Sequence, residues 1–163
     1  FATIHRPYNT DNPARMKRIL DMLNLLPHPV IFPLHPRTAA RLKAAEIHTN
    51  HHPHIQFIDP LGYLNSIAYQ RGSECIITDS GGVQKEAYML RKKCITLRSE
   101  TEWTETLDHS WNTLVFEDIE SIPKLIKEKP GTYIEGMFGD GHAAEKIVTA
   151  IKNFFKQQSP ATA

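Results

Sequence analysis

The chain has 163 residues, 40% of them hydrophobic and 23% charged, with 19 Lys and Arg against 18 Asp and Glu and a formal net charge of +1. That is the composition of a globular domain able to bury a core of its own. The near-neutral balance, with no basic stripe on any predicted helix, argues against nucleic acid as a main partner, and no apolar run reaches the length that a membrane span requires. Residues 1–4 read as a strand ending at His5-Arg6, and residues 7–12 as a turn. Asn12-Pro13 then supply a helix N-cap with proline at the first helical position, and Met16, Ile19, Leu20 and Leu23 recur at helical spacing up to Pro27. Val30-Ile31-Phe32 is a second strand, followed by His35-Pro36 and a helix over 38–46. A polar loop with His48, His51, His52 and His54 leads to a third strand at 55–58, and Pro60 opens a helix through Leu64, Ile67 and Ala68. Cys75-Ile76-Ile77 start a fourth strand, and Ser80-Gly81-Gly82 turn it into a helix with Ala87 and Leu90 inward. Residues 94–97 and 112–116 are further strands. Helices follow over 119–127 and 143–155, the last with Ile147, Val148, Ile151 and Phe155 as its buried face.

Short apolar strands alternating with helices specify an α/β domain: a Rossmann-like three-layer sandwich with a mostly parallel six-stranded sheet in the order 3-2-1-4-5-6. Residues 1–157 are expected to form one domain and 158–163 a disordered tail. The chain opens on Phe1, without Met and inside a strand, so it is expected to be part of a longer protein. Cys75 and Cys94 lie in strands and read as reduced core thiols. The histidine quartet matches no zinc pattern, and neither metal nor cofactor is expected.

In that strand order the first and fourth strands are neighbours, so His5 and Ser80 border one crevice at the sheet's carboxyl edge. Ser80, Gly81 and Gly82 offer a hydroxyl and unobstructed amides at a helix N-terminus, where unpaired N–H groups and the helix dipole suit a phosphate. Ser80 as a plain N-cap fits the same residues. An imidazole at position 5 could stabilise charge or move a proton near neutral pH, with Arg6 beside it; an exposed pair at a turn is the alternative. His35 ends the second strand and is a weaker candidate. Glu86 lies one turn beyond Gly82 and could accept hydrogen bonds from a ribose, or simply favour an early helical turn. Ser99 and Glu102 have capping-box spacing, and the acids at 100, 102 and 105 could meet substrate or solvent.

Six segments carry a resemblance: Thr3-Ile4-His5-Arg6, Pro33-Leu34-His35-Pro36, Asp59-Pro60-Leu61-Gly62-Tyr63-Leu64, Thr78-Asp79-Ser80-Gly81-Gly82-Val83-Gln84-Lys85-Glu86-Ala87, Leu97-Arg98-Ser99-Glu100-Thr101-Glu102-Trp103 and Gly139-Asp140-Gly141-His142-Ala143. In this order they resemble the C-terminal domain of the non-hydrolysing UDP-N-acetylglucosamine 2-epimerases. The Glu-Thr-Glu-Trp form is also similar to the subgroup acting on UDP-2,3-diacetamido-2,3-dideoxyglucuronate.

The resemblance implies one half of a GT-B-like two-domain isomerase of polysaccharide biosynthesis in the cytoplasm. In such an enzyme UDP is eliminated from a UDP-sugar to leave a glycal, then re-added after inversion at C2, interconverting UDP-GlcNAc and UDP-ManNAc or a related uronate. It implies that Ser80, Gly81 and Gly82 hold the diphosphate, Glu86 the ribose, and Pro60, Leu61 and Tyr63 border the uracil. His5 is implied as catalytic, with Arg6, His35, Glu102 and Trp103 binding substrate. The family's main catalytic carboxylates belong to the N-terminal domain, so this chain alone is expected to be inactive, its partners being that domain, a UDP-sugar and, in the parent, a possible second copy. Tyr8 stands where relatives often carry Glu, Ser66 where some carry an aromatic residue, and Trp103 where some carry Arg. A GT-B glycosyltransferase donor domain and a non-catalytic nucleotide- or partner-binding module are the competing functions.

Overall fold

The structure, a computed structural model, describes residues 1–158. Six strands run in chain order: β1 (Ala2–Thr3), β2 (Val30–Pro33), β3 (Ile55–Ile58), β4 (Cys75–Thr78), β5 (Lys93–Thr96) and β6 (Asn112–Leu114). The α-helices are α1 (Pro7–Thr10), α2 (Pro13–Asn24), α3 (Pro36–Ala44), α4 (Tyr63–Gly72), α5 (Gly81–Met89), α6 (Ile122–Lys127) and α7 (Ala143–Gln158). The turn expected at 7–12 is a short helix. The helix expected at 119–127 is a 3-10 turn that leads into α6.

All strand pairs are parallel. The hydrogen-bonded order is β1-β4-β5-β6, with β2-β3 as a separate pair. The expected single six-stranded sheet is therefore interrupted between β1 and β2. Its cause is local: β1 is two residues long, and its ladder is spent on β4, Ala2 opposite Ile77 and Thr3 opposite Thr78. The next carbonyl, that of Ile4, accepts from Thr38 Oγ1 of α3 at 2.9 Å instead of from β2. β1 nevertheless lies against β2, so the spatial sequence of strands is the expected one.

Local chemistry starts the helices where they start. Asn12 Oδ1 accepts from Arg15 N at 3.1 Å and Pro13 follows, which begins α2. His35 Nδ1 accepts from Arg37 N at 3.2 Å and does the same for α3. The stripe Met16, Ile19, Leu20 and Leu23 of α2 is buried against the sheet with Ile4, Phe32, Ile95, Leu97, Ile119 and Ile122. Each such side chain contributes about 1.5–3 kcal/mol on leaving water. Cys75 and Cys94 are free and buried. Burial pushes their thiols up to about 11 and about 12.

Two compact units make up the chain, Phe1–Tyr133 and a second beginning at Ile134. Within the second, Gly139 and Gly141 have positive φ values of 94° and 83°. Asp140 Oδ1 there accepts from His142 N, ahead of α7. The expected buried face of α7 is exposed: Ile147, Val148, Ile151 and Phe155 keep 48–63% of their surface. Periodicity identifies the side of a helix that favours burial, while burial itself needs a covering surface. Of the expected tail, residue 158 ends α7 and 159–163 lie outside the described residues.

Candidate functional site

Register places the site. Thr3, Thr78 and Thr96 are side by side at the carboxyl ends of β1, β4 and β5, and the hydroxyls of Thr3 and Thr78 are 2.7 Å apart. The residues that follow these ends, His5-Arg6, Asp79-Ser80 and Leu97-Arg98, therefore emerge along one edge. This is where an open parallel sheet binds ligands.

A cavity of about 190 Å³ opens there, lined among others by His5, His35, Pro60, Leu61, Ser66, Ser80 and Val83. The imidazole and the start of α5 thus face a shared groove, as the strand order implied, and the rings of His5 and His35 have centroids 5.8 Å apart. A larger apolar cavity, about 500 Å³, is bordered by Phe1, Val30 and Cys75 at the opposite strand ends. Its lining includes His28, Ser73 and Glu74 but none of the residues expected to bind substrate.

Ser80 sits at the N-cap of α5, yet its side chain caps no helix amide. Its own N–H donates to Thr78 Oγ1 at 3.0 Å. Gly81 is buried, and a Cβ at that position would collide with Glu102 Oε1 and come within 3.3 Å of Trp103 Nε1. Gly82 is open. Glycine at 81 thus leaves room for the side chains of Glu102 and Trp103. That loop is fixed from beneath: Thr101 Oγ1 donates to Gln84 Oε1 at 2.6 Å, and Asn112 Nδ2 donates to the same oxygen at 3.0 Å. Lys85 Nζ stands 4.1 Å over the Trp103 ring.

Charge gathers above the first turn of α5. Arg98 Nη1 makes a 2.8 Å ion contact with Glu102 Oε2. The Glu102 carboxyl is held below its usual range, first by its own backbone N–H and then by Arg98 and Arg6. Arg6 Nε is buried with no hydrogen-bond partner among the described residues, and Arg6 is not among the residues that line the cavity. Glu86 Oε2 accepts from Gln70 Nε2 at 2.6 Å, tying α5 to α4. Tyr8 is half-exposed, and its phenol is raised by burial and by the charge of Asp79.

Of the expected site residues, His5, His35, Pro60, Leu61 and Ser80 line the cavity. Glu102 and Trp103 lie over Gly81, and Glu86 is on α5 facing Gln70. Tyr63 begins α4 with 67% of its surface exposed and is outside the cavity lining. His35 spends Nδ1 on capping α3, so only its Nε2 is available to a ligand. Sequence reasoning missed Asp79, Asn9, Gln70, Gln84 and Arg98 as members of the site's framework. The signal available for Asp79 and Arg98 was their position immediately after strand ends.

The geometry can be set beside known proteins. The family model described as UDP-N-acetylglucosamine 2-epimerase matches residues 1–152. A UDP-N-acetylglucosamine 2-epimerase homolog of Methanococcus maripaludis is 38% identical over 157 residues, 94% of this chain and 44% of its own length. The UDP-2,3-diacetamido-2,3-dideoxy-D-glucuronate 2-epimerase of Pseudomonas aeruginosa is also 38% identical, over 90% of this chain and 42% of its own. The crystal structure of the Methanocaldococcus jannaschii UDP-GlcNAc 2-epimerase in complex with UDP-GlcNAc and UDP superimposes with a TM-score of 0.82 at 35% identity, covering 93% of this chain and 44% of that one. The chain thus spans less than half the length of these relatives. No helix among the described residues is long and apolar enough to cross a membrane. By its sequence match and its parallel α/β fold, the chain belongs to the UDP-N-acetylglucosamine 2-epimerase family.

Proposed function

We propose that residues 1–157 are the UDP-binding half of a UDP-sugar 2-epimerase that interconverts UDP-GlcNAc and UDP-ManNAc, or the related diacetamido uronates. The observation that carries this reading is the single cavity shared by His5 and Ser80 at the carboxyl edge of the sheet. Family membership and the UDP-bound M. jannaschii relative support it.

In the reaction UDP departs from C1 as a proton is lost from C2; the glycal is then protonated at C2 from the opposite face as UDP returns. Negative charge grows on the diphosphate when the C1–O bond breaks. Preorganised donors answer that need: the amides at the start of α5 and Ser80 Oγ. Glu86, held by Gln70, takes the ribose hydroxyls, while Pro60 and Leu61 border the uracil. His5 moves or stabilises a proton beside the leaving phosphate, and His35, Glu102 and Trp103 face the sugar. The remaining catalytic groups come from the N-terminal half, so the chain by itself binds UDP weakly and does not turn over. We place the enzyme in the cytoplasm, in keeping with its two free buried thiols, as a homodimer serving polysaccharide synthesis.

Calorimetry of this chain and of the full-length protein with UDP tests the reading. Binding is expected in both, weakened about 10-fold or more by Glu86→Ala, since a charged hydrogen-bond acceptor is lost. Absence of UDP binding in both proteins sinks it.

A further inference from the structure

We propose that Asp79 is a positioning residue that fixes the tautomer and direction of the His5 imidazole, so that Nδ1 carries the proton and Nε2 is left as the basic nitrogen. The proposal rests on the reading of His5 as the proton-handling group of the UDP-sugar site.

Asp79 is wholly buried, 0% exposed, one residue beyond β4. A carboxylate in such a place is tolerated only when its lone pairs are met by donors. They are: His5 N reaches both oxygens at 3.1 Å, Arg6 N donates to Oδ2 at 2.9 Å, and Asn9 Nδ2 donates to Oδ2 at 2.9 Å. Those three donors hold the loop after β1. A further neighbour is the imidazole, whose Nδ1 stands 3.5 Å from Oδ1.

That last contact does something the others do not. A carboxylate only accepts, so the ring nitrogen facing it is favoured as N–H. The other nitrogen then keeps its lone pair, which a base beside a substrate needs. Near the ring are also Arg6, adjacent in the chain, and His35, at a centroid distance of 5.8 Å. Neither presents an acceptor to Nδ1, since the Nδ1 of His35 is occupied by Arg37 N. Asp79 also precedes Ser80, so one residue sets the imidazole and the first amides of α5 in a fixed relation.

Asp79→Asn separates this role from simple bracing. The carboxamide oxygen is drawn to the Oδ2 position, where Arg6 N and Asn9 Nδ2 donate, which turns its NH2 toward His5. The ring must then accept at Nδ1 and carry its proton on Nε2. Long-range proton–nitrogen correlation spectra of the 15N-labelled chain, at a pH where the ring is neutral, read the tautomer directly. Nδ1–H is expected in the wild type and Nε2–H in Asp79→Asn. In the full-length protein, kcat is expected to fall about 100-fold with KM for the UDP-sugar changed less than about 3-fold, the range of a lost general-base function. Thr38→Val removes the brace on the Ile4 carbonyl, outside the site, and is expected to lower thermal stability while leaving the tautomer and kcat near wild type.

Nε2–H in the wild-type ring overturns the proposal, and that measurement stands even where Asp79→Asn fails to fold. A wild-type tautomer in Asp79→Asn, or a loss of kcat that Thr38→Val reproduces, overturns it as well. Lack of UDP binding is the separate failure of the functional reading, and the tautomer of the wild-type ring decides Asp79 independently of it.

Discussion

Gln70 Nε2 donates to Glu86 Oε2 across 2.6 Å, so a wholly buried amide of α4 aims the carboxylate of α5. The same nitrogen also reaches Ser66 Oγ at 3.2 Å, at the wall of the cavity. Gln70→Leu removes both bonds and leaves the carboxylate without its fixed partner. Affinity for UDP should fall about 10-fold by calorimetry, with about 1–3 kcal/mol of stability lost in urea titration. An unchanged dissociation constant would show that Glu86 needs no such support.

At Gly81 the absent Cβ leaves room for Glu102 and Trp103. Gly81→Ala drives the Glu102 carboxylate from its place beside Arg98, but Glu102 is the end of a flexible chain. The loss of stability should therefore stay within about 1 kcal/mol, while UDP binding weakens because Glu102 and Trp103 are displaced by the new methyl group. Thermal denaturation with and without UDP separates the two effects.

The core argument predicts a contrast. Phe32 is 0% exposed and packs at 5.5 Å between ring centroids on Phe57, so Phe32→Ala should cost about 3–5 kcal/mol. Ile151 on α7 is 51% exposed, and Ile151→Ala should change stability by about 0.5 kcal/mol or less. Urea denaturation of the two variants checks both.

The two thiols predict alkaline behaviour. Burial raises Cys75 from 9.0 to about 11 and Cys94 from 9.0 to about 12. Below about pH 9 both folded and unfolded chains keep these protons. Above it the unfolded chain releases protons that the fold retains, so stability falls, by at most about 1.4 kcal/mol per pH unit per thiol. The fall ends as pH passes the folded values. Chemical denaturation of wild type and Cys94→Ala between pH 8 and 11 should show a gentler decline in the variant. At pH 8 neither thiol should react with iodoacetamide until the chain unfolds.

Much of this molecule can be read along the chain. The Asn12-Pro13 start of α2, its apolar stripe, the four-residue strands β2, β3, β4 and β5, and the Ser-Gly-Gly entry to α5 all rest on periodicity and turn chemistry within a few residues. Even the meeting of His5 with Ser80 was legible, because parallel strands joined by helices follow few orders and ligands gather at one edge. The break between β1 and β2 was not legible. It depends on whether Ile4 gives its carbonyl to a strand or to Thr38, 34 positions away.

The sequence by itself determined which segments become strand or helix and which edge of the sheet carries polar groups, since these follow from short-range sterics and the burial of apolar stripes. Tertiary structure alone decided that Asp79 gathers the amides of a loop 74 and 73 positions earlier, that Gln70 reaches Glu86, and that the face of α7 stays exposed. Such pairings depend on how close packing brings distant side chains together, and a buried carboxylate takes its partners from whatever donors the fold places within about 3 Å.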